Sequence, residues 1–255
     1  MTFIYDGQYE GLLSAVFESY RLKAPATRIV SEAQWQESLF DQPIRVNTCP
    51  TLAARVQKGL KEKTSAQAVR MLYRCFLSEK ENVEMLIYQF IRKAMKSNHN
   101  IEQNYADPTV LALSKINKMI GREVHRMHAF VRFQLTKDGI YYAVIEPDFN
   151  VLPISTDHFE KRYPAMDWLI YDARRHYGMY YHQQRLEAVT FADTSHHQLR
   201  QLPNSVRDEL ETDYQEAWKR YFKSTNIEAR KNMKLHLQHV PRRYWKYLVE
   251  KDGKG

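Results

Sequence analysis

Three polar side chains in the middle of the chain could carry out acid–base chemistry. Asp172 lies in the run YDARR (residues 171–175), where one carboxylate stands beside two guanidinium groups at the end of a predicted strand. Such a carboxylate can act as a general base or position a water molecule, and the simpler interpretation is an ion-paired structural residue. His125 and His128 are the other acid–base candidates, three residues apart on a predicted helix. The sequence leaves the catalytic and structural interpretations open.

The histidine and cysteine spacings do not predict a metal site. Histidines recur in three close pairs, which are His125 and His128, His196 and His197, and His236 and His239. Two histidines need further carboxylate or thiolate ligands nearby to complete a site, and none is suitably spaced. Cys49 and Cys75 are too far apart for a C-x-x-C pair. We therefore expect no bound metal.

Several enzyme classes are disfavoured because their motifs are missing. The sequence contains no G-x-x-x-x-G-K-[ST], no G-x-G-x-x-G and no H-E-x-x-H. Two distant cysteines also cannot supply the paired-cysteine signature of a zinc deaminase. ATPases, dinucleotide-dependent enzymes, deaminases and metalloproteases of these types are therefore not expected, and no cofactor is predicted.

Positive charge suggests a polyanionic partner. The net charge is +8, and such an excess attracts nucleic acid through counterion release. A helix predicted from Asp107 to about Met127 is apolar along one side. The opposite arc carries four cations, which are Lys115, Lys118, Arg122 and Arg126. This ridge is a candidate phosphate-binding surface, and an ordinary solvated face is the alternative.

The carboxyl-terminal region is more strongly basic. Between residues 217 and 247 there are nine cations and one acid, Glu228. A short helix predicted to begin at Pro241 directs its cations outward and its rings inward. The outward residues are Arg242, Arg243 and Lys246, and the inward residues are Tyr244, Trp245 and Leu248. Arg132, Arg174 and Arg175 complete the predicted nucleic-acid contacts.

The element pattern predicts an α+β protein. A strand at residues 3–5, a turn and a helix open the chain, and three helices are expected between residues 51 and 96. Period-two alternation over residues 128–135, followed by a Lys-Asp-Gly turn, predicts a hairpin into residues 140–146. Further strands are expected up to residue 191, with a short helix intervening near residues 156–162. We therefore predict an antiparallel sheet from about residue 128 to 191, covered by helices from both halves.

The domain organisation is predicted as two regions of one compact body. Residues 1–100 form a strand-turn-helix and a helical region, and residues 101–255 form an α+β region with basic terminal helices. Ser205 and Asp208 have capping-box spacing ahead of one of these helices. No apolar run is long enough to span a membrane, and no export signal is recognisable. We expect a cytoplasmic protein without a membrane partner.

Several segments resemble one bacterial family of DNA metabolism or DNA repair proteins, built around a domain of unknown function. The segments are YDGQYEGLLSAVFESY (residues 5–20), REVHRMHAFVRF (122–133), IEPDFNVLP (145–153), HFEKRYPAMDWLIYDARRHYG (158–178) and LHLQHVPRRYWKYLVE (235–250). The resemblance implies a genomic neighbour that is a radical SAM protein acting in DNA modification or repair. Some members carry a fused uracil-DNA-glycosylase-like domain. The family supplies no established catalytic residues.

The leading hypothesis is a DNA-binding accessory protein that works with a radical SAM partner in bacterial DNA repair or modification. One alternative is an enzyme that processes nucleic acid with Asp172 and His125 or His128 as acid and base. Another is a protein–protein interaction module whose basic faces bind an acidic protein. Whether the chain is an enzyme is left open by the sequence.

Overall fold

The computed structural model describes residues 1–37 and 42–190, and then residues 207–208, 211, 215–217, 220, 240–248 and 251. The chain divides into two compact units, Met1–Ile120 and Gly121–Gly255. The boundary falls inside a long helix. None of the helices in the ranges just given is long and apolar enough to cross a membrane.

The first unit combines a small parallel sheet with helices. Its strands are β1 (Thr2–Tyr5), β2 (Arg28–Ser31) and β3 (Ile44–Arg45), in the order β2-β1-β3. Its helices are α1 (Tyr9–Arg21), α2 (Pro50–Lys63), α3 (Ala66–Phe76), α4 (Val83–Lys96) and the first part of α5 (Pro108–Phe130). The opening strand-turn-helix and the three helices of residues 51–96 are confirmed. The pairing of β1 with two parallel strands was not predicted, since β2 and β3 are short and stand among prolines.

The turn between β1 and α1 depends on one carboxylate and two glycines. Asp6 accepts hydrogen bonds from the Gln8 amide at 2.9 Å and from the Thr48 hydroxyl at 2.6 Å. Gly7 has a φ of +85°, which side chains with a Cβ rarely adopt. A Cβ on Gly11 would overlap the Asp6 carboxylate and lie 2.7 Å from the Thr48 hydroxyl. Because Gly11 has no side chain, the Asp6 carboxylate can lie against α1 and reach Thr48 in the segment ahead of α2.

The second unit is built on a five-stranded sheet. The strands are β4 (Gln134–Leu135), β5 (Tyr141–Ile145), β6 (Trp168–Asp172), β7 (Tyr177–His182) and β8 (Arg185–Thr190), and they are ordered as they occur in the chain. The α+β class is confirmed. Trp168, Ile170 and Tyr171 of β6 are fully buried, as expected for the central strand.

One pairing in this sheet is parallel, so the predicted antiparallel sheet is in fact mixed. β5 and β6 run parallel in the register Tyr141 to Trp168 through Ile145 to Asp172, and the other neighbours are antiparallel. The helix α6 (Leu152–Arg162) connects them. A crossover of this kind returns the chain to the same end of the sheet, which makes the next strand parallel. The predicted intervening helix is confirmed, and it begins earlier than expected.

The first strand of the predicted hairpin is largely wrong. α5 continues to Phe130, and β4 contains only Gln134 and Leu135. The ring of Phe130 lies 5.5 Å from that of Tyr244, centroid to centroid. Alternation of apolar and polar residues over a few positions also fits a helix end, and packing of Phe130 favours the helix.

The basic carboxyl-terminal segment ends in a short 3₁₀ helix, Arg242–Tyr247. Tyr244 and Leu248 are buried, as predicted, and Trp245 is half-buried. The helix predicted from Ser205 lies largely outside the described residues, as do the pairs His196–His197 and His236–His239.

Candidate functional site

Asp172 is fully buried at the end of β6 and both of its oxygens are occupied. One carboxylate oxygen accepts the Arg174 and Arg175 amides at 2.9 and 3.1 Å, and the other accepts the Arg175 guanidinium at 3.0 Å. Burial raises the pKa of the Asp172 carboxyl, and Arg175 acts in the opposite direction. This geometry closes the turn between β6 and β7 and favours the structural interpretation of Asp172.

Arg175 connects this turn to the IEPDFN segment after β5. Its side chain is only 10% exposed. Its two terminal nitrogens donate to the carbonyls of Pro147 and Asp148, both at 3.2 Å. All of these partners are internal, so Arg175 is a structural cation rather than a surface contact.

Glu123 is a second buried carboxylate, and sequence reasoning did not select it. It is 1% exposed and accepts the Arg243 guanidinium at 2.9 Å, the Tyr244 hydroxyl at 2.5 Å and the Asp148 amide at 2.9 Å. Arg126 contacts it at 3.3 Å. The available signal was a single acid at the margin of an otherwise cationic helix face.

Asp148 joins the two buried carboxylates into one network. Its carboxylate lies 2.6 Å from the Arg243 guanidinium and 3.9 Å from that of Arg174. We call this set the carboxylate–arginine network. Its members are Glu123, Asp148, Asp172, Arg126, Arg174, Arg175 and Arg243. It ties α5, the IEPDFN segment, the β6–β7 turn and the 3₁₀ helix together within the second unit.

Several of the predicted phosphate contacts are already paired with carboxylates. Arg126, Arg175 and Arg243 are ion-paired inside the carboxylate–arginine network, and Lys246 pairs with Glu146 at 2.5 Å. A phosphate would have to compete with these carboxylates. Arg174 remains 58% exposed, and its guanidinium donates to the Asp148 carbonyl at 3.3 Å and lies 3.9 Å from the Asp148 carboxylate.

Four of the predicted cations are exposed and have no ion-pair partner among the residues that the structure describes. Lys115, Lys118 and Arg122 are exposed on α5, and Arg242 is exposed on the 3₁₀ helix. None of the four forms an ion pair with any acid in the described part of the chain. Arg242 lies 5.9 Å over the Trp245 ring. The three α5 residues are spaced three and four apart, which places them along one side of the helix. We call them the α5 cation row.

A cavity of about 780 Å³ opens in the second unit near the end of α5. Of the predicted residues, His128 and Arg132 line it, whereas Asp172 and His125 do not. Its other lining residues are Ala129, Val131, Phe133, Leu135, Tyr141, His158, Arg162, Tyr163, Met166, Glu211 and Gln215. His125 is exposed. The structure therefore does not bring the acid–base candidates into one site.

His128 is stacked on a second histidine. Its ring centroid lies 4.1 Å from that of His158, with the rings 15° from parallel. Burial lowers the pKa of His128, and the neighbouring His158 lowers it further. The lowered pKa favours the neutral imidazole, which can both donate and accept a hydrogen bond.

Arg132 lines the cavity, and its guanidinium donates to the carbonyls of Ala129 and Val131 at 2.8 and 3.2 Å. No cluster of three or more His, Cys, Asp or Glu residues that could hold a metal is found among the described residues.

A family model described as a domain of unknown function (DUF4130) matches residues 81–250. The chain belongs to the DUF4130 family. The DUF4130 match contains every member of the carboxylate–arginine network, the α5 cation row and the cavity lining. No curated protein matches the chain.

Proposed function

We propose that this DUF4130 protein is a DNA-binding accessory factor in bacterial DNA repair or modification, acting with a radical SAM partner in the cytoplasm. The observation that carries the DNA-binding part is the α5 cation row, Lys115, Lys118 and Arg122. These charges are exposed and are not neutralised by acids within the ranges that the structure describes. The process and the partner come from the resemblance to DNA metabolism proteins.

The physical basis is electrostatic attraction to phosphates. Cations already bound to buried carboxylates gain little from a phosphate, because the existing pair must first be broken. Unpaired surface cations release counterions from DNA without that penalty. Lys115, Lys118, Arg122 and Arg242 are therefore the preferred contacts of the ten predicted, with Arg174 next.

Fluorescence anisotropy with single-stranded and duplex oligonucleotides tests the DNA-binding part. Lys118→Glu with Arg122→Glu should weaken binding by roughly 10-fold or more, since two phosphate contacts become repulsive. The matched control is Lys58→Glu with Lys61→Glu on α2, which makes the same charge change at exposed positions. Equal weakening by both variants would mean that net charge alone drives binding. Absence of binding to either strand form would favour the protein-interaction alternative.

The partner is tested by affinity purification from native lysate. A radical SAM protein that remains bound after nuclease treatment supports a direct complex. A radical SAM protein that is absent with and without nuclease would remove the partner from the proposal.

A further inference from the structure

We infer that the cavity beside His128 receives one unstacked nucleotide, with its base against the aromatic walls and its phosphate at the arginine rim. The inference rests on the proposed function only in that a DNA strand would be the source of the nucleotide. The same chemistry would also bind a free nucleotide, and the experiments below separate these sources.

The aromatic walls are the first reason. Phe133, Tyr141 and Tyr163 line the cavity and are half-buried. Phe133 and Tyr163 meet edge to face, with centroids 5.5 Å apart and planes at 82°. This contact fixes both rings while leaving ring surface on the cavity. Bases of any sequence stack on such surfaces.

The rim provides the positive charge that a phosphate requires. Arg162, at the end of α6, is exposed, and its guanidinium lies 5.7 Å over the Tyr163 ring. It forms no ion pair with an acid in the part of the chain that is described. Arg132 adds a second guanidinium, already oriented by two carbonyls. A guanidinium beside a stacking ring matches the arrangement of phosphate and base in a nucleotide.

The cavity also contains a buried hydrogen-bond acceptor. Glu211 is 5% exposed and its carboxylate is held by the Leu135 amide and the Gln215 side chain, both at 2.9 Å. Carboxylate oxygens can accept further hydrogen bonds. Every base carries an N–H donor on its Watson–Crick edge, so Glu211 offers a polar contact that an inserted base can satisfy. An aliphatic ligand would leave it unused.

The size and polarity of the cavity fit this ligand class. About 780 Å³ lies within the roughly 300–1,000 Å³ range of small-molecule sites, which combine apolar walls with a few placed polar groups. Enzymes and readers that handle a single base take it out of the stack into a pocket of this composition. The cavity supplies ring walls, a carboxylate and two guanidinium groups in the same place.

The decisive comparison uses two single-stranded oligonucleotides with identical phosphates. One carries normal bases, and the other carries abasic tetrahydrofuran residues throughout. Base stacking contributes about 1–3 kcal/mol, so the abasic strand should bind roughly 5- to 150-fold more weakly. Equal affinities for the two strands would overturn the inference.

Variants assign any difference to this cavity. Tyr163→Leu should reduce affinity for the normal strand and leave the abasic strand unchanged. Arg162→Ala should weaken both strands through the lost phosphate contact, whereas Lys161→Ala, an exposed neighbour on α6 outside the cavity lining, should weaken neither. If Tyr163→Leu does not fold, as judged by circular dichroism, His158→Ala replaces it with the same expectation. A normal strand that binds these variants and the wild type equally would place the base elsewhere.

Titration with deoxynucleoside monophosphates, followed by calorimetry, separates the inference from the proposed function. Nucleotide binding that is lost in Tyr163→Leu, in a protein that binds no oligonucleotide, would support the cavity and overturn DNA binding. Oligonucleotide binding that is equal for the normal and abasic strands and unchanged in Tyr163→Leu would leave the proposed function standing. It would overturn the inference that the cavity receives a base. Binding of both, each sensitive to Tyr163→Leu, is the expected result.

Discussion

Glu123 shows how one buried carboxylate can organise a surface that looks uniformly basic in sequence. Arg243, Tyr244 and the Asp148 amide all donate to it, and it is 1% exposed. A buried charge is tolerable only when its hydrogen-bonding capacity is filled. The cations around Glu123 therefore stabilise the fold, and a binding partner would have to compete with Glu123 for them.

Replacing Glu123 with Ala should lower the free energy of unfolding by about 3 kcal/mol, because its buried partners lose their acceptor. Urea denaturation measures the change. Arg126→Ala is the control. Its contact with Glu123 is longer, at 3.3 Å, and its loss should cost under about 1 kcal/mol. Equal midpoints for wild type and Glu123→Ala would contradict the structural role.

Arg242 and Arg243 are adjacent in sequence and should behave differently. Arg243→Ala removes charge-assisted hydrogen bonds to Glu123, and each is worth about 1.5–3 kcal/mol. Arg242→Ala removes an exposed cation and its contact over the Trp245 ring, and should change stability by less than about 1 kcal/mol. Thermal melts of the two single variants make the comparison. A destabilised Arg242→Ala beside an unaffected Arg243→Ala would reverse the assignment.

His128 should make stability depend on pH near neutrality. Its pKa is lowered from 6.5 in the fold by burial and by His158, so the unfolded chain binds the proton first. Its contribution is complete above about pH 6.5 and is lost progressively as the pH falls toward the folded-state pKa. His128→Asn should therefore flatten the decrease in melting temperature between pH 7 and 5. His125→Asn, at an exposed position of the same helix, should retain the wild-type slope.

At the scale of elements, α1 packs closely against the turn that precedes it, with Gly11 at the point of contact. Helical glycine is normally a weakness, and Ala in its place gains about 1 kcal/mol. At Gly11 the added methyl group would meet the Asp6 carboxylate and the Thr48 hydroxyl. These two groups hold β1, α1 and the start of α2 in their arrangement.

Gly11→Ala should thus destabilise the protein by about 1 to 3 kcal/mol through overpacking, against its helix propensity. Gly59→Ala, inside α2, is the matched control. Its methyl group would meet the flexible end of Met95 at 3.1 Å, so it should be neutral or stabilising. Denaturant midpoints of the two variants decide the matter, and a stabilised Gly11→Ala would show that the turn adjusts freely.

Hydrophobic periodicity was sufficient to predict some of the helices and strands. Long amphipathic stretches such as α2, α3 and α4 were predicted because their buried residues repeat with the helical period. The end of α5 was mispredicted, and the strand predicted over residues 128–135 is reduced to the two residues of β4, because two or three positions cannot distinguish a period of 2.0 from one of 3.6. The parallel β5–β6 pair depends on the crossover through α6, which is a topological property.

At the scale of the molecule, the net charge of +8 overstates the charge that would be available to the proposed DNA partner. If all ten predicted cations contacted phosphates, log K would fall by about 7 to 9 per decade of salt for single-stranded and duplex DNA, respectively. If only Lys115, Lys118, Arg122 and Arg242 do so, the slope should be about 3 to 4. Anisotropy titrations from low to moderate salt measure it. A slope near the larger value would mean that the ion pairs open on binding.

The sequence by itself determined the α+β class, the basic character and the amphipathic helices, since these follow from composition and local periodicity. The quoted segments also resembled a family built around a domain of unknown function, and the DUF4130 match over residues 81–250 shows that domain. Only the tertiary structure decided which charged side chains pair with one another inside the fold. Glu123 and Arg243 are 120 residues apart, and His128 meets His158 across α5 and α6. Pairings at that separation depend on how the elements pack, and local sequence patterns do not encode that packing.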